Sequence, residues 1–483
     1  MAGAARGSQD LLNGPISRTL LLFALPTLGS NVLQSLNGSV NAIWIGRFLG
    51  EDAIAATANA NIIMFLMFAA VFGFGMAATV LIGQSFGRGD LDGARRAMGT
   101  AMGLFLPLSV LVGLAGWTFS PNILKALATP GEAFELAHDY LRLIFLSTPA
   151  SFLMVLMMMG LRGSGDSMTP LWFMGLSVVL DIILNPVLIL GLGPAPAMGI
   201  AGSAMATVIA GYVSLIGIII YVYVRDLPLR LKGRELGYLR PDPALLRSIV
   251  LKGFPMGLQM VVISSAAMAM VGLVNREGLL ATAAYGVTQQ LWTYVQMPAM
   301  AVGAAVSAMA AQNIGAGRWD RVARITRTGI FYNIVMTGAL VVLLTLVDRA
   351  ALGLFLGTES PAIPVAAHIH LLGGWSFVFF GVSLVLFGTM RANGAVIAPL
   401  IILFLSMYPI RLGFVYFAYP VLGADALWLS FPLGSLASTA CAIWVYRRGG
   451  WRKAKMIEAP DPEECREAVL AESEPAGRLN PTG

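Results

Sequence analysis

Twelve predominantly apolar stretches recur along the chain, near residues 17–45, 55–82, 97–119, 139–160, 169–192, 198–223, 250–274, 281–311, 327–347, 366–388, 396–418 and 424–446. An α-helix of about 20 apolar residues crosses the roughly 30 Å hydrocarbon layer of a bilayer. A closed barrel is the only other structure that satisfies its backbone in lipid, but these runs lack the two-residue alternation its strands require. The pattern therefore predicts an all-α membrane protein with twelve transmembrane helices.

Composition supports that solvent. Of 483 residues 57% are hydrophobic and 12% charged, against about a quarter charged in soluble domains. The formal net charge of +6 raises nucleic acid as a partner, but the placement of the charge argues otherwise. Arg88, Arg95, Arg96, Arg162, Arg225, Arg230, Lys232, Arg234, Arg240, Arg247 and Lys252 fall on one set of loops. The same set holds Arg318, Arg321, Arg324, Arg327, Arg391, Arg447, Arg448, Arg452, Lys453 and Lys455, whereas the opposite loops hold Arg47, Lys125, Arg142, Arg276 and Arg349. By the positive-inside rule both termini are expected in the cytoplasm, in a bacterial-type inner membrane, with no nucleic-acid partner. No cleavable signal peptide is read at the start. Cys441 and Cys465 form neither a disulfide framework nor a metal motif, and His138, His368 and His370 are expected as interfacial residues at outer helix ends.

The chain also repeats itself. Pro26 matches Pro255; Gln84, Gly87 and Gly89 match Gln312, Gly315 and Gly317; Arg162, Gly165 and Pro170 match Arg391, Gly394 and Pro399. One register of 228–229 residues runs through six spans, so each half has the same orientation, and the substrate path is expected between halves that rock. The expected organisation is a cytoplasmic segment 1–15, a first lobe 16–223, a linker 224–249, a second lobe 250–446 and a disordered acidic tail 447–483.

The segments LPTLGS, GQSFGRGDLDGARR and LRGSGDSMTP, then Asp181–Pro186 and GIAGSAMAT, come in an order that resembles the multidrug and toxic compound extrusion (MATE) family over residues 15–446. The resemblance implies a V-shaped protein of two six-helix lobes. It also implies export of small organic, often cationic or amphipathic compounds, driven by inward proton or sodium flow. GRGD and GAGR read as turns whose glycines permit positive φ. Arg162 and Asp166 are expected to pair, to cap helix ends, or to make a gating contact.

An ionisable residue in the bilayer is a functional candidate by default. Asp181 is the mid-membrane carboxylate of the first half; Asn185 follows one turn later, and Pro186 is expected to disturb the helix. Asn31, Gln34, Asn37 and Asn41 make a polar stripe on the first span. Packed together, these helices would surround Asp181 with amide oxygens, and Ser203 and Thr207 are sixth-span contributors. Such a site exchanges protons or seats sodium, a hard cation; the bland alternative is a structural aspartate. Here the chain departs from the family pattern. Many relatives carry an acid at the position of Asn41, their fifth-span motif places Asn before Asp-Pro, and the norfloxacin-exporter branch has acids where Ile263 and Phe380 stand. Coupling is therefore expected at Asp181 alone, weakened or absent coupling being the alternative.

The substrate cleft candidates are Gln34, Gln259, Gln289, Trp292, Gln296, Met260 and Arg411, with Thr293 and Tyr294 near the same stripe. Arg411 matches Asp181 in the repeat and is expected to pack, to snorkel, or to meet an anion. Methionines such as Met154, Met157, Met158, Met159, Met256, Met297 and Met300 suit a promiscuous surface or a plain core. No P-loop, histidine-rich metal site or Ser-His-Asp set points to an enzyme, and no cofactor or metal is expected beyond the coupling ion. The expected partners are small organic substrates and membrane lipids, with the protein a monomer. A lipid or lipid-linked flippase, or an uncoupled facilitator, is the rival reading.

Overall fold

In the computed structural model the chain is described over residues 9–126, 131–193, 196–357 and 359–457. The first half contains α1 (Ile16–Leu49), α2 (Glu51–Arg88), α3 (Leu91–Ala126), α4 (Gly131–Gly163), α5 (Met168–Leu190) and α6 (Ile200–Val224). The second contains α7 (Pro243–Val274), α8 (Leu279–Gly315), α9 (Trp319–Leu346), short α10 (Asp348–Leu356), α11 (Ala362–Gly373), α12 (Ser376–Arg391), α13 (Ile397–Leu405), α14 (Gly413–Leu422) and α15 (Asp425–Arg448). Among the described residues eleven spans, counting α13–α14 as one, are long and apolar enough to cross a membrane. A twelfth forms from α11 and α12, bent by 43° at Gly374–Trp375. The expected spans all recur. Outward side chains such as Trp172, Leu279 and Phe417 are exposed, as a lipid-facing wall requires.

The distribution of core explains the shape. One large apolar cluster draws on both halves, from Val80, Met98, Leu156 and Ile218 to Met256, Phe387 and Met390. Toward the other end the core divides. Ile45, Tyr140, Leu141, Phe145 and Ala204 form a cluster inside the first half, and Met270, Tyr285, Trp292, Phe377 and Trp428 one inside the second. The halves are thus fused at one end and separate at the other, giving two lobes. Met154, Met157, Met158 and Met159 all lie within the shared core, so those methionines are packing residues.

The fused end is the basic one, and it is built from the repeat. Gly87 of α2 abuts the backbone carbonyl of Gln312 on α8, while Gly315 of α8 abuts that of Gln84 on α2. A methyl group at either glycine would overlap the opposing carbonyl. The glutamine side chains repeat the exchange: Gln84 donates to the carbonyl of Ala392 at 2.7 Å, and Gln312 to that of Gly163 at 3.0 Å. Each matched pair therefore reaches into the opposite half. Only the later glycines, Gly89 and Gly317, sit at positive φ in the turns. The expectation that all four glycines serve turns is corrected: Gly87 and Gly315 are helical and serve a close crossing. Gly73 on α2 makes a second such crossing against Gly253 and Gly257 of α7.

Segments flanking the lobes are docked. Asn313 and Arg318 donate to the carbonyls of Leu11 and Leu12, and the Gln9 amide donates to that of Gly165, so residues 9–14 bridge the halves. The linker lies along α3, where Arg95 pairs with Glu235 at 2.5 Å and Tyr238 donates to Asp92. Part of the expected tail is folded: Asn393 donates to the carbonyls of Trp451, Arg452 and Ala454, and Met456 is buried. Residues 458–483, including Cys465, lie outside the described residues.

Candidate functional sites

Two polar sites lie in the separated arms, one in each lobe. In the first, α5 carries Asp181 into the contact with α1 and α6. Asp181 is 1% exposed. Asn41 of α1 donates to Oδ2 at 3.1 Å, and Thr207 of α6 donates to Oδ1 at the same distance. Asn185 donates to the Asp181 carbonyl at 2.9 Å and to Oδ1 at 3.3 Å. Asn37 is a further neighbour of the carboxylate. The site thus gathers Asp181, Asn185, Asn41, Asn37 and Thr207, and Ser203 lies one turn before Thr207, its carbonyl facing the threonine hydroxyl at 3.4 Å. Tyr140 of α4, which the sequence reading did not single out, is buried close by.

The charge balance of this site is incomplete. Among the described residues no Lys, Arg or His pairs with Asp181. Three further buried oxygens, Asn37 Oδ1, Asn185 Oδ1 and Ser203 Oγ, have no hydrogen-bond partner. Buried polar atoms are ordinarily satisfied, so a carboxylate beside unsatisfied oxygens forms a pocket of negative potential. A hard cation or a proton fits that chemistry. Pro186 lies inside α5, which runs on to Leu190, so its disturbance stops short of a break: the proline lacks the N–H that would bond the Ile182 carbonyl.

In the second lobe a cavity of about 130 Å³ is lined by Tyr285, Gln289, Trp292, Thr293 and Gln296 of α8, by Phe377 and Phe380 of α12, and by Arg411, Phe431 and Ser435. Ile263 of α7 completes a wall that contains no acid among the described residues. Four of the expected cleft residues, Gln289, Trp292, Gln296 and Arg411, come together here. The other three do not: Gln34 is exposed on α1, Met260 is half-buried on α7, and Gln259 is turned away, donating to the Val396 carbonyl at 3.3 Å.

Arg411 enters the cavity from a π-helical stretch, Ser406–Leu412, between α13 and α14. An inserted residue of this kind re-aims the side chains around it, and such bulges recur at functional sites. Arg411 is 8% exposed, with its guanidinium carbon 3.5 Å from the centre of the Phe431 ring. It does not snorkel. His370 is also corrected: rather than being interfacial it is 5% exposed and accepts a hydrogen bond at 3.0 Å from the Trp292 indole. His368 is exposed and paired with Asp425 at 2.9 Å. For Asp166 the capping alternative holds: it accepts from the amides of Met168 and Thr169 at the start of α5, and no ion pair joins it to Arg162.

Comparison with known proteins accords with this architecture. The MatE family model matches twice, at residues 26–187 and 255–417, with the two matches set in the register of the internal repeat. A probable multidrug resistance protein, YoeA of Bacillus subtilis, is 35% identical over 91% of this chain and 95% of its own length. A second from that organism, YpnP, is 30% identical over 93% of this chain and 98% of its own length. A FAD transporter of Shewanella oneidensis is 23% identical over 91% of this chain and 96% of its own length. Among solved structures, a MATE crystal structure in complex with MaD3S superposes with a TM-score of 0.84 at 20% identity, covering 92% of this chain and 98% of that one. An outward-facing multidrug resistance MATE transporter gives 0.83, also at 20% identity and with the same shares covered. With two family matches in the repeat register and relatives 30% and 35% identical across nearly all its length, the chain belongs to the MatE family of multi-pass membrane transporters.

Proposed function

We propose that the protein is a secondary active exporter of small organic, amphipathic compounds, coupled to inward flow of protons or sodium at Asp181. Its place is the inner membrane of a bacterial-type cell, with the basic end and both termini in the cytoplasm. The two lobes rock against each other about the fused end and present a cleft alternately to either side. The names of the Bacillus relatives support export of several drugs.

The observation that carries the reading is the state of Asp181: a carboxylate 1% exposed, donated to by Asn41, Asn185 and Thr207, with no cationic side chain paired to it among the described residues. A cation arriving there from outside neutralises the charge and gives the unsatisfied oxygens a ligand. It therefore binds most strongly when the three helices are assembled as here. A substrate that needs the arm rearranged competes with it, which is the differential affinity that antiport requires. The cationic substrates of the family resemblance meet no acid in the second-lobe cavity, so the substrate class is left as amphipathic organic compounds.

The test is transport by the full-length protein in liposomes, wild type beside Asp181→Asn. Efflux of a fluorescent amphipathic dye is followed under an imposed proton or sodium gradient. Gradient-driven efflux in the wild type, lost in the variant, is the expected result. Efflux that persists unchanged in Asp181→Asn sinks the assignment, and wild-type efflux indifferent to both gradients favours a facilitator or flippase.

A further inference from the structure

The guanidinium of Arg411 is buried, yet most of it has nothing to bond. Nη1 faces the Met407 thioether at 3.8 Å, and Nε and Nη2 have no hydrogen-bond partner. Those two nitrogens share one edge of the planar group, where their N–H bonds run parallel and match the two oxygens of a single carboxylate. The bare edge is therefore the bidentate edge. Burying a cation without a partner is strongly unfavourable. Stacking on Phe431 compensates for the face of the group and leaves the edge buried without a partner.

The surroundings are consistent with a ligand rather than with packing alone. Arg411 lines the cavity, and the described wall holds no Asp or Glu that could swing in to pair with it. The rest of the wall is aromatic: Trp292 lies 4.9 Å from Phe431 and 5.2 Å from Phe377, centre to centre, and Tyr285 adjoins both Trp292 and Phe431. His370 fixes the Trp292 ring through its indole N–H, and Thr345 meets the other ring nitrogen of His370 at 3.2 Å. An immobilised aromatic box beside a bare bidentate edge selects for a flat ring carrying a carboxylate.

We propose that the second-lobe cavity binds aromatic carboxylates, with Arg411 recognising the carboxylate and the Trp292–Phe377–Phe431 cluster holding the ring. This deepens the export reading by naming a substrate class for the second lobe, and its carriage outward rests on that reading. Binding itself does not.

The experiment compares anthranilate with its uncharged near-isostere anthranilamide, by equilibrium dialysis against the full-length protein in nanodiscs with no ion gradient. The wild type is expected to prefer anthranilate by about tenfold or more, the scale of hydrogen bonds to a charged group. Arg411→Gln should erase the preference and leave anthranilamide binding in place. Arg411→Lys should restore only part of it, because a point charge cannot grip both oxygens. Equal affinities in the wild type, or a preference that survives in Arg411→Gln, overturn the proposal. The wild-type comparison decides even if Arg411→Gln fails to fold. Because neither a gradient nor turnover is needed, loss of dye efflux in the transport test and loss of carboxylate preference here are separate outcomes.

Discussion

Asp181 and Arg411 occupy matching places in the two halves, and almost everything around them differs. Asp181 sits in an unbroken helix, with side-chain donors from three helices around it and unsatisfied oxygens alongside. Arg411 sits in a π-helical interruption, walled by aromatic rings, with its better hydrogen-bonding edge bare. The first environment suits a small cation, which needs several oxygens at close range and little room. The second suits an organic anion, which needs a flat cavity and one directional contact. A duplicated fold thus supplies two equivalent positions, and on the reading proposed above the residues placed there divide them between ion and organic ligand.

That division can be broken in several ways, and the largest effect belongs to Asp181. Asp181→Asn keeps the shape and removes the charge, so gradient-driven efflux should fall to the leak of protein-free vesicles, read in the liposome assay. Next is an attempt to make the second lobe resemble the first. Phe380→Glu puts an acid into the Arg411 cavity, pairs the bare edge internally, and should weaken anthranilate binding by about tenfold or more in dialysis. A smaller effect tests the fused end, where the halves are alike rather than different. Gly87→Leu and Gly315→Leu each force a side chain into the opposing backbone and should destabilise by about 1–3 kcal/mol in thermal unfolding. The two values should agree, since the contacts are reciprocal; a large effect from one and none from the other would break the symmetry. The smallest change is Glu235→Gln, which removes the partly exposed pair with Arg95 and should lower stability by less than about 1 kcal/mol.

Much of this was legible in the sequence because lipid imposes a simple code. Long apolar runs have few alternatives to spanning helices, and the repeat adds the pairing of the two halves. The first-lobe site was legible for a related reason: a lone acid in an apolar run has to be met by polar residues, and the stripe on α1 and Thr207 supplied them. What stayed hidden depends on distance. Nothing in the sequence distinguishes Gly87, which lets two backbones touch, from Gly89, which turns the chain. Gln259 and Gln289 look equally suited to a cleft until packing turns one away. The π-helical stretch that aims Arg411 has no marker beyond Pro409 within it. His370 looked interfacial because its position along the span was readable while its neighbour Trp292, 78 residues away, was not.

The crossing of α2 and α8 carries a kinetic consequence. Its closest contacts, at Gly87 and Gly315, run from backbone to backbone, so no rotamer can relieve them while the helices stay in place. The two glutamine hydrogen bonds are exchanged in opposite directions, and pulling the halves apart loads both at once. Such a joint has no partly opened form to rest in, because it cannot unzip from one side. Parting of the lobes at that end is therefore expected as a single concerted event, with a dwell time set by one barrier. If the lobes rock as proposed, a transporter fastened this way is expected to pass between discrete states and not to drift open by degrees.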